Sequence, residues 1–312
     1  MDICDDAMPR IEIDGTKLHY QQIGSGSNLL LVHGLFSSIG FWWGPLAFTL
    51  AKNHRVTALD LRGHGLSGMT QRGYSANDLA KDILALADHL GLRDIHVVGH
   101  SYGGAIALAA ALQARDKIIR ITLADAWVPA LQAQTYTPNL RKWSALKEKL
   151  KLKGLQGEGD WPMVAMAFLE EIAEAPDDTL ANMQRGQYGR GWMPTKHNSN
   201  AIRRWRRLMA TTHAWKEFYA TSVLTSAALR KLETPVHIIY GKKSGYHQTR
   251  DALLKHLPNA TNHEVSGGHY FPLLQPRGLT DLIANPPKTA APSVQFHSRR
   301  ELVDQSMEYD RG

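Results

Sequence analysis

Five short, largely apolar runs, at residues 29–32, 56–59, 95–98, 118–123 and 236–240, constrain the fold of this chain more than any other feature. Each is bounded by turn residues and is too short for an ordinary helix. Continuous apolar runs of that length fit strands buried on both faces, as in a parallel sheet. Helical stretches lie between them. Over residues 76–90, Leu79, Ile83, Leu86, Ala87 and Leu90 recur at three- and four-residue spacing, and Gly91 then stops the helix. Residues 105–114, rich in Ala and Leu, read as a buried helix. Near the start, residues 11–13 and 17–23 flank Asp14-Gly15, a hairpin turn signal. Strands alternating with helices predict an α/β sheet covered by helices.

Gly99-His100-Ser101-Tyr102-Gly103 stands between the third run and the Ala-rich helix. A G-x-S-x-G sequence between strand and helix has a definite mechanical meaning. A sharp turn holds the serine in a strained backbone conformation, so small residues must flank it. The same turn lifts the hydroxyl clear of the sheet at a helix N-terminus. There the dipole and unbonded N–H groups favour developing negative charge. A serine hydroxyl also needs a base whose pKa lies near the working pH, and histidine fits best.

Three further segments appear in order: His33-Gly34-Leu35-Phe36 after a buried strand, Asp60-Leu61-Arg62-Gly63-His64-Gly65-Leu66-Ser67, and Gly267-Gly268-His269-Tyr270-Phe271-Pro272. With the serine turn they resemble the α/β-hydrolase family over roughly residues 10–284. The resemblance implies the α/β-hydrolase fold, a mostly parallel central sheet flanked by helices. It implies Ser101 as nucleophile, His269 as base, and an oxyanion hole from the backbone N–H groups of Leu35 and Tyr102, with Phe36 as a substitute for Leu35. His33 and His64 fall in segments explained by loop hydrogen bonds, and the His100 side chain is expected to point away along the turn.

The acid departs from the family pattern. Family members usually carry an aspartate just after the strand at 236–240, but here the chain reads Gly241-Lys242-Lys243-Ser244-Gly245, with Ser244 at the expected place. Asp125, just after the run 118–123, is the alternative. Some branches, haloalkane dehalogenases among them, place their acid after that neighbouring strand. The chain order Ser101, Asp125, His269 fits this arrangement. Asp125 as a mere tether of loop backbone stays open, and Asp251 and Glu264 are further carboxylates to weigh.

From residue 128 to 222 the strand pattern stops, and it resumes at Val236. The stretch resembles a helical cap inserted after strand 6. Residues 1–127 and 223–285 then form the core, 128–222 the cap, and the polar, Pro-containing 286–312 a flexible tail. The cap segment holds 14 Lys and Arg against 9 Asp and Glu, a net +5 of the chain's +7. Its densest run, Arg203-Arg204-Trp205-Arg206-Arg207, reads as a solvated helix face with Trp205 turned inward. The sharper reading is a docking surface for an anionic substrate or an acidic acyl carrier protein. Trp42, Trp43, Trp127, Trp192 and Trp205 line an apolar pocket or sit in the core; Phe36, Trp42 and Trp127 are the candidate pocket residues.

Composition narrows the class. With 43% hydrophobic and 21% charged residues, the chain is an ordinary globular one. A single cysteine, Cys4, excludes an intrachain disulfide and fits a reducing compartment. Asp2, Asp5 and Asp6 at the start do not read as a secretory signal, and no run of 18 apolar residues is present, so a cytoplasmic protein without a membrane span is expected. The positive balance comes without zinc-finger spacing, RNA-binding signature or Walker loop, which argues against nucleic acid. The 15 histidines contain no His-Glu-x-x-His pair, and no metal or cofactor is implied. Serine rather than aspartate at position 101 excludes haloalkane dehalogenase and the usual epoxide hydrolase chemistry. Esterase, thioesterase, lipase-like, C–C hydrolase and perhydrolase readings share one acyl-enzyme cycle. The expectation is a serine hydrolase cleaving a carboxylic ester or thioester of a small-molecule acyl substrate. Two other classes remain: a ligand-binding protein on a hydrolase scaffold, and a carrier-protein partner acting through the basic cap.

Overall fold

A computed structural model describes residues 8–131, 199–220 and 223–285. Most of the expected cap (132–198 and 221–222), the expected tail, Trp192, Cys4 and the N-terminal aspartates lie outside the described residues. Eight strands form one sheet: β1 (Arg10–Ile13), β2 (Thr16–Ile23), β3 (Ser27–Val32), β4 (His54–Leu59), β5 (Ile95–His100), β6 (Ile118–Ala124), β7 (Val236–Gly241) and β8 (Ala260–Val265). Their spatial order is β1-β2-β4-β3-β5-β6-β7-β8. The β1–β2 and β2–β4 pairs are antiparallel and every later pair is parallel. The Asp14-Gly15 turn closes the first hairpin with both residues at positive φ, 46° and 71°.

The apolar runs are buried on both faces because successive side chains alternate. Leu30, Val32, Val97 and Leu123 pack under the helices α2 (Ala76–His89) and α3 (Tyr102–Gln113). Leu29, Leu31, Val56, Val98 and Ile239 pack on the other face, with Leu46 and Leu50 of α1 (Pro45–Leu50) and Leu279 and Ile283 of a C-terminal helix, Pro276–Ala284. Local chemistry fixes the limits of α2. The Ser75 hydroxyl accepts the Asp78 N–H at 3.2 Å, an N-cap, and Gly91 at φ 63° lies just past the end. Of the expected cap, a short 3₁₀ turn at Pro129–Leu131 and the helices α4 (Ser199–Thr211) and α5 (Ala214–Glu217) are described. Among the described residues no helix is long and apolar enough to cross a membrane.

Strand order reverses at β3, which has β4 on one side and β5 on the other. In open parallel sheets, the crevice beyond the carboxyl ends of such strands is where ligands bind. Ser101, His33-Gly34, Asp60 and Asp125 all lie at those ends, just after β5, β3, β4 and β6.

Candidate active site

β5 ends at His100 and α3 begins at Tyr102, so one residue, Ser101, makes the whole turn, at φ 53° and ψ −124°. A non-glycine residue there is strained and persists only where its surroundings hold it. A Cβ on Gly99 would lie 2.3 Å from the Gly103 carbonyl oxygen, and one on Gly103 would lie 2.3 Å from that of Val32. Both glycines of the pentapeptide are therefore steric requirements of the turn. Three backbone bonds clamp the serine. Its N–H donates to the Ala124 oxygen at 3.3 Å, and its carbonyl accepts from Gly104 at 3.0 Å and Trp127 at 2.9 Å.

The loop after β3 faces this turn. A Cβ on Gly34 would lie 2.8 Å from Ser101 Cβ and 3.3 Å from Ser101 Oγ. His33 anchors the loop: its Nδ1–H donates to the Gly34 oxygen at 2.7 Å, and its Nε2 accepts the Leu61 N–H at 3.0 Å. That pattern fixes one neutral tautomer, and burial pushes the ring's pKa down. The backbone N–H groups of Leu35 and Tyr102 are bound to no carbonyl among the described residues.

His269 and Asp125 meet. His269 Nδ1 lies 3.0 Å from Asp125 Oδ1, with the histidine side chain 12% exposed and the aspartate fully buried. Ser244 Oγ donates to the same Oδ1 at 2.5 Å, and the Gly241 N–H donates to Oδ2 at 2.9 Å. Burial pushes the Asp125 carboxyl up, but the bonds from His269, Ser244 and Gly241 outweigh it and hold the group below its ordinary value. The rings of His100 and Tyr246 lie 4.6 Å from the His269 ring, and that of Tyr270 lies 4.9 Å away. Asp251 and Glu264 are elsewhere. Both are exposed and share Arg250, at 2.8 and 2.5 Å.

The ring of His100 does not simply point away. It stacks on Phe41 at 4.3 Å, and its Nε2–H donates to the backbone oxygen of His269 at 2.9 Å. Burial pushes its pKa down to about 3, so it is neutral. The Asp60–Ser67 segment is a brace. Asp60 accepts from the Ile39 N–H, the Leu66 N–H and His19 Nδ1, at 2.7, 2.9 and 2.8 Å. Arg62 forms a buried two-pronged pair with Asp82, at 3.0 and 2.7 Å.

The candidate pocket residues separate. Trp127 is half-buried, with its ring 5.7 Å from Tyr102 and 5.3 Å from Tyr219. Phe36, at φ 59°, meets Trp205 edge-on at 5.6 Å. Trp42 instead belongs to the core, 1% exposed between Phe41 and His100. The arginine tract does not form one surface either. Arg203 and Arg207 are exposed, whereas Arg204 bonds the Gly63 oxygen at 3.1 Å and also the Ser67 oxygen. Trp205 is turned inward as expected, stacked on Phe218. Ser244 as a donor to Asp125 escapes the sequence. Its visible signal is a hydroxyl at 244, where the family resemblance leads to the expectation of an aspartate.

This sheet order and serine turn are those of an α/β hydrolase, and the chain belongs to the alpha/beta hydrolase family, which residues 29–282 match. A non-heme haloperoxidase of Rhodococcus erythropolis is 38% identical over 123 residues, 39% of this chain and 44% of that protein. A soluble epoxide hydrolase of a Corynebacterium species is 36% identical over 119 residues, 38% of this chain and 41% of that protein. The chain thus spans less than half the length of these curated relatives. An esterase structure from Exiguobacterium antarcticum superposes with a TM-score of 0.62 at 21% identity, covering 87% of this chain and 96% of that one. At that identity the likeness speaks to fold alone.

Proposed function

We propose that this protein is a serine hydrolase that cleaves a carboxylic ester or thioester through an acyl-enzyme. Ser101 Oγ attacks the substrate carbonyl while His269 Nε2 takes its proton. The imidazolium so formed is stabilised by Asp125 through Nδ1, and the N–H groups of Leu35 and Tyr102 receive the developing oxyanion. The tetrahedral species collapses, and His269 returns the proton to the departing alkoxide or thiolate. Water then attacks the acyl-enzyme with His269 again as base, releasing the acid and restoring Ser101. The observation that carries this reading is the 3.0 Å bond between His269 Nδ1 and the buried Asp125, at the same sheet edge as the strained Ser101 turn. An active-site cap formed by residues 128–222 belongs to the same proposal. Docking of an acyl carrier protein on the cap finds no support in Arg204, which is committed to loop carbonyls.

Ser101→Ala should lower turnover of p-nitrophenyl butyrate by about 10³ or more and abolish labelling by a fluorophosphonate. Turnover by the purified variant equal to wild type would remove the mechanism. The haloperoxidase relative favours a second acceptor in the same cycle. Hydrogen peroxide in place of water would release a peracid from the acyl-enzyme. Peroxide-dependent bromination that requires both acetate and Ser101 tests it, and bromination by Ser101→Ala would exclude it.

A further inference from the structure

We propose that Ser244 is a positioning residue that sets the orientation and the charge of the Asp125 carboxylate and so governs its hold on His269. This rests on the reading of Asp125 as the partner of His269. The direction of the Ser244 bond is fixed by its other contact. Its oxygen accepts the Tyr246 N–H at 3.0 Å, and a carboxylate can only accept, so the hydroxyl proton points at Asp125 Oδ1, 2.5 Å away. The serine itself is held in a turn by its own N–H, which donates to the Gly241 oxygen at 2.9 Å. The end of β7 and the loop after it therefore do three things. Gly241 holds Oδ2, Ser244 holds Oδ1, and the Tyr246 ring lies against the His269 ring at 4.6 Å.

Ser244 and His269 donate to the same oxygen, so the hydroxyl has two opposed effects. It stops the carboxylate from rotating, which keeps Oδ1 aimed at His269. It also draws off part of the negative charge on Oδ1 that would otherwise stabilise the imidazolium. Removing it should loosen the geometry while strengthening the bare electrostatic attraction. A purely structural residue would not produce that combination.

Among the described residues, the groups facing His269 come from the ends of β5 and β6, the β7 loop and its own loop. Asp125 comes from the end of β6, and neutral His100 from the end of β5. The phenol rings of Tyr246 and Tyr270 come from the β7 loop and from the histidine's own loop. Lys242 and Lys243 on the β7 loop are exposed. Among the described residues, Asp125 is thus the charged group paired with His269.

The test is the pH dependence of kcat and kcat/KM for p-nitrophenyl acetate in wild type, Ser244→Ala, Ser244→Thr and Asp125→Asn. Ser244→Ala should lower kcat about tenfold with KM little changed, the weight of one hydrogen bond to a charged group. Its acid limb should move to higher pH by about half a unit, because Asp125 Oδ1 is then left to His269 alone. Ser244→Thr, which keeps the hydroxyl, should restore both. An unchanged kcat and acid limb in Ser244→Ala, or a threonine variant no better than alanine, would overturn the proposal. Wild-type turnover by Asp125→Asn would instead overturn the reading of Asp125 on which the proposal stands.

Discussion

Adding one methyl group at Gly34 tests whether the loop after β3 and the serine turn face each other as the site requires. In Gly34→Ala the new carbon would lie 2.8 Å from Ser101 Cβ, 3.2 Å from the His100 oxygen and 3.3 Å from Ser101 Oγ. Relief needs a separation larger by about half an ångström. Ser101 cannot retreat, because its backbone is bound to Ala124, Gly104 and Trp127, and the adjoining helix start is packed on the Val32 oxygen through Gly103. The loop must give way, and it carries the Leu35 N–H with it. Withdrawal of one oxyanion donor costs roughly 10²–10³ in kcat. Overpacking should cost about 1–3 kcal/mol of stability, which leaves the variant folded. The assay is kcat on p-nitrophenyl butyrate beside a thermal melt. A folded Gly34→Ala with kcat within fivefold of wild type would refute the facing arrangement, and with it Leu35 as a donor.

Two further outcomes concern stability. His33, His64 and His100 are buried and neutral, with pKa values pushed down by burial, to about 3 for His64 and His100. Below the ordinary value of 6.5 the unfolded chain takes up protons that the folded chain does not. Stability should therefore be level above about pH 7 and fall as pH drops, by about 1.4 kcal/mol per unit for each such histidine. The lowered Asp125 carboxyl adds a loss of the same sign below the ordinary carboxylate range. A Tm that holds steady from pH 7 to pH 4.5 would contradict these neutral buried rings. Arg204→Ala leaves the Gly63 and Ser67 carbonyls without their donor and should cost about 1–3 kcal/mol, whereas exposed Arg207→Ala should stay within about 0.5 kcal/mol. Equal Tm losses in the two variants would show that Arg204 is not a core tie.

The legible parts of the sequence are those whose requirement is local. An apolar run reads as a strand because both its faces are covered. Gly99 and Gly103 read as a turn because any side chain there would strike nearby backbone. What stayed illegible depends on contacts between distant segments. A tryptophan is equally suited to a pocket lining or a core, and Trp42 proved to be core. Four arginines around a tryptophan read as charge, while the guanidinium of Arg204 is matched to two carbonyls more than 130 residues away. The side chain of His100 follows the expected turn but ends on the backbone of His269, 169 residues on. Ser244 was visible as a departure from the family pattern. Its partner lies 119 residues back, and no local pattern encodes that distance.

The placements of Asp125 just after β6 and of Ser244 after β7 depend on each other. The two strands are parallel neighbours, and the Asp125 N–H bonds the Ile239 oxygen of β7 at 2.7 Å. A Cβ on Gly241 would lie 2.7 Å from the Gly267 oxygen and 2.8 Å from that of Gly268, so the histidine loop rests directly on the end of β7. That close approach brings His269 within reach of a carboxylate on β6. It also places residue 244 against the same carboxylate. An aspartate there would set a second negative charge beside the buried Asp125, and two such carboxylates cannot both ionise. A hydroxyl at that point donates a bond instead and helps keep Asp125 ionised. In this chain the donor at 244 and the carboxylate at 125 are thus complementary, and Ser244→Asp should weaken the hold of Asp125 on His269 rather than strengthen it.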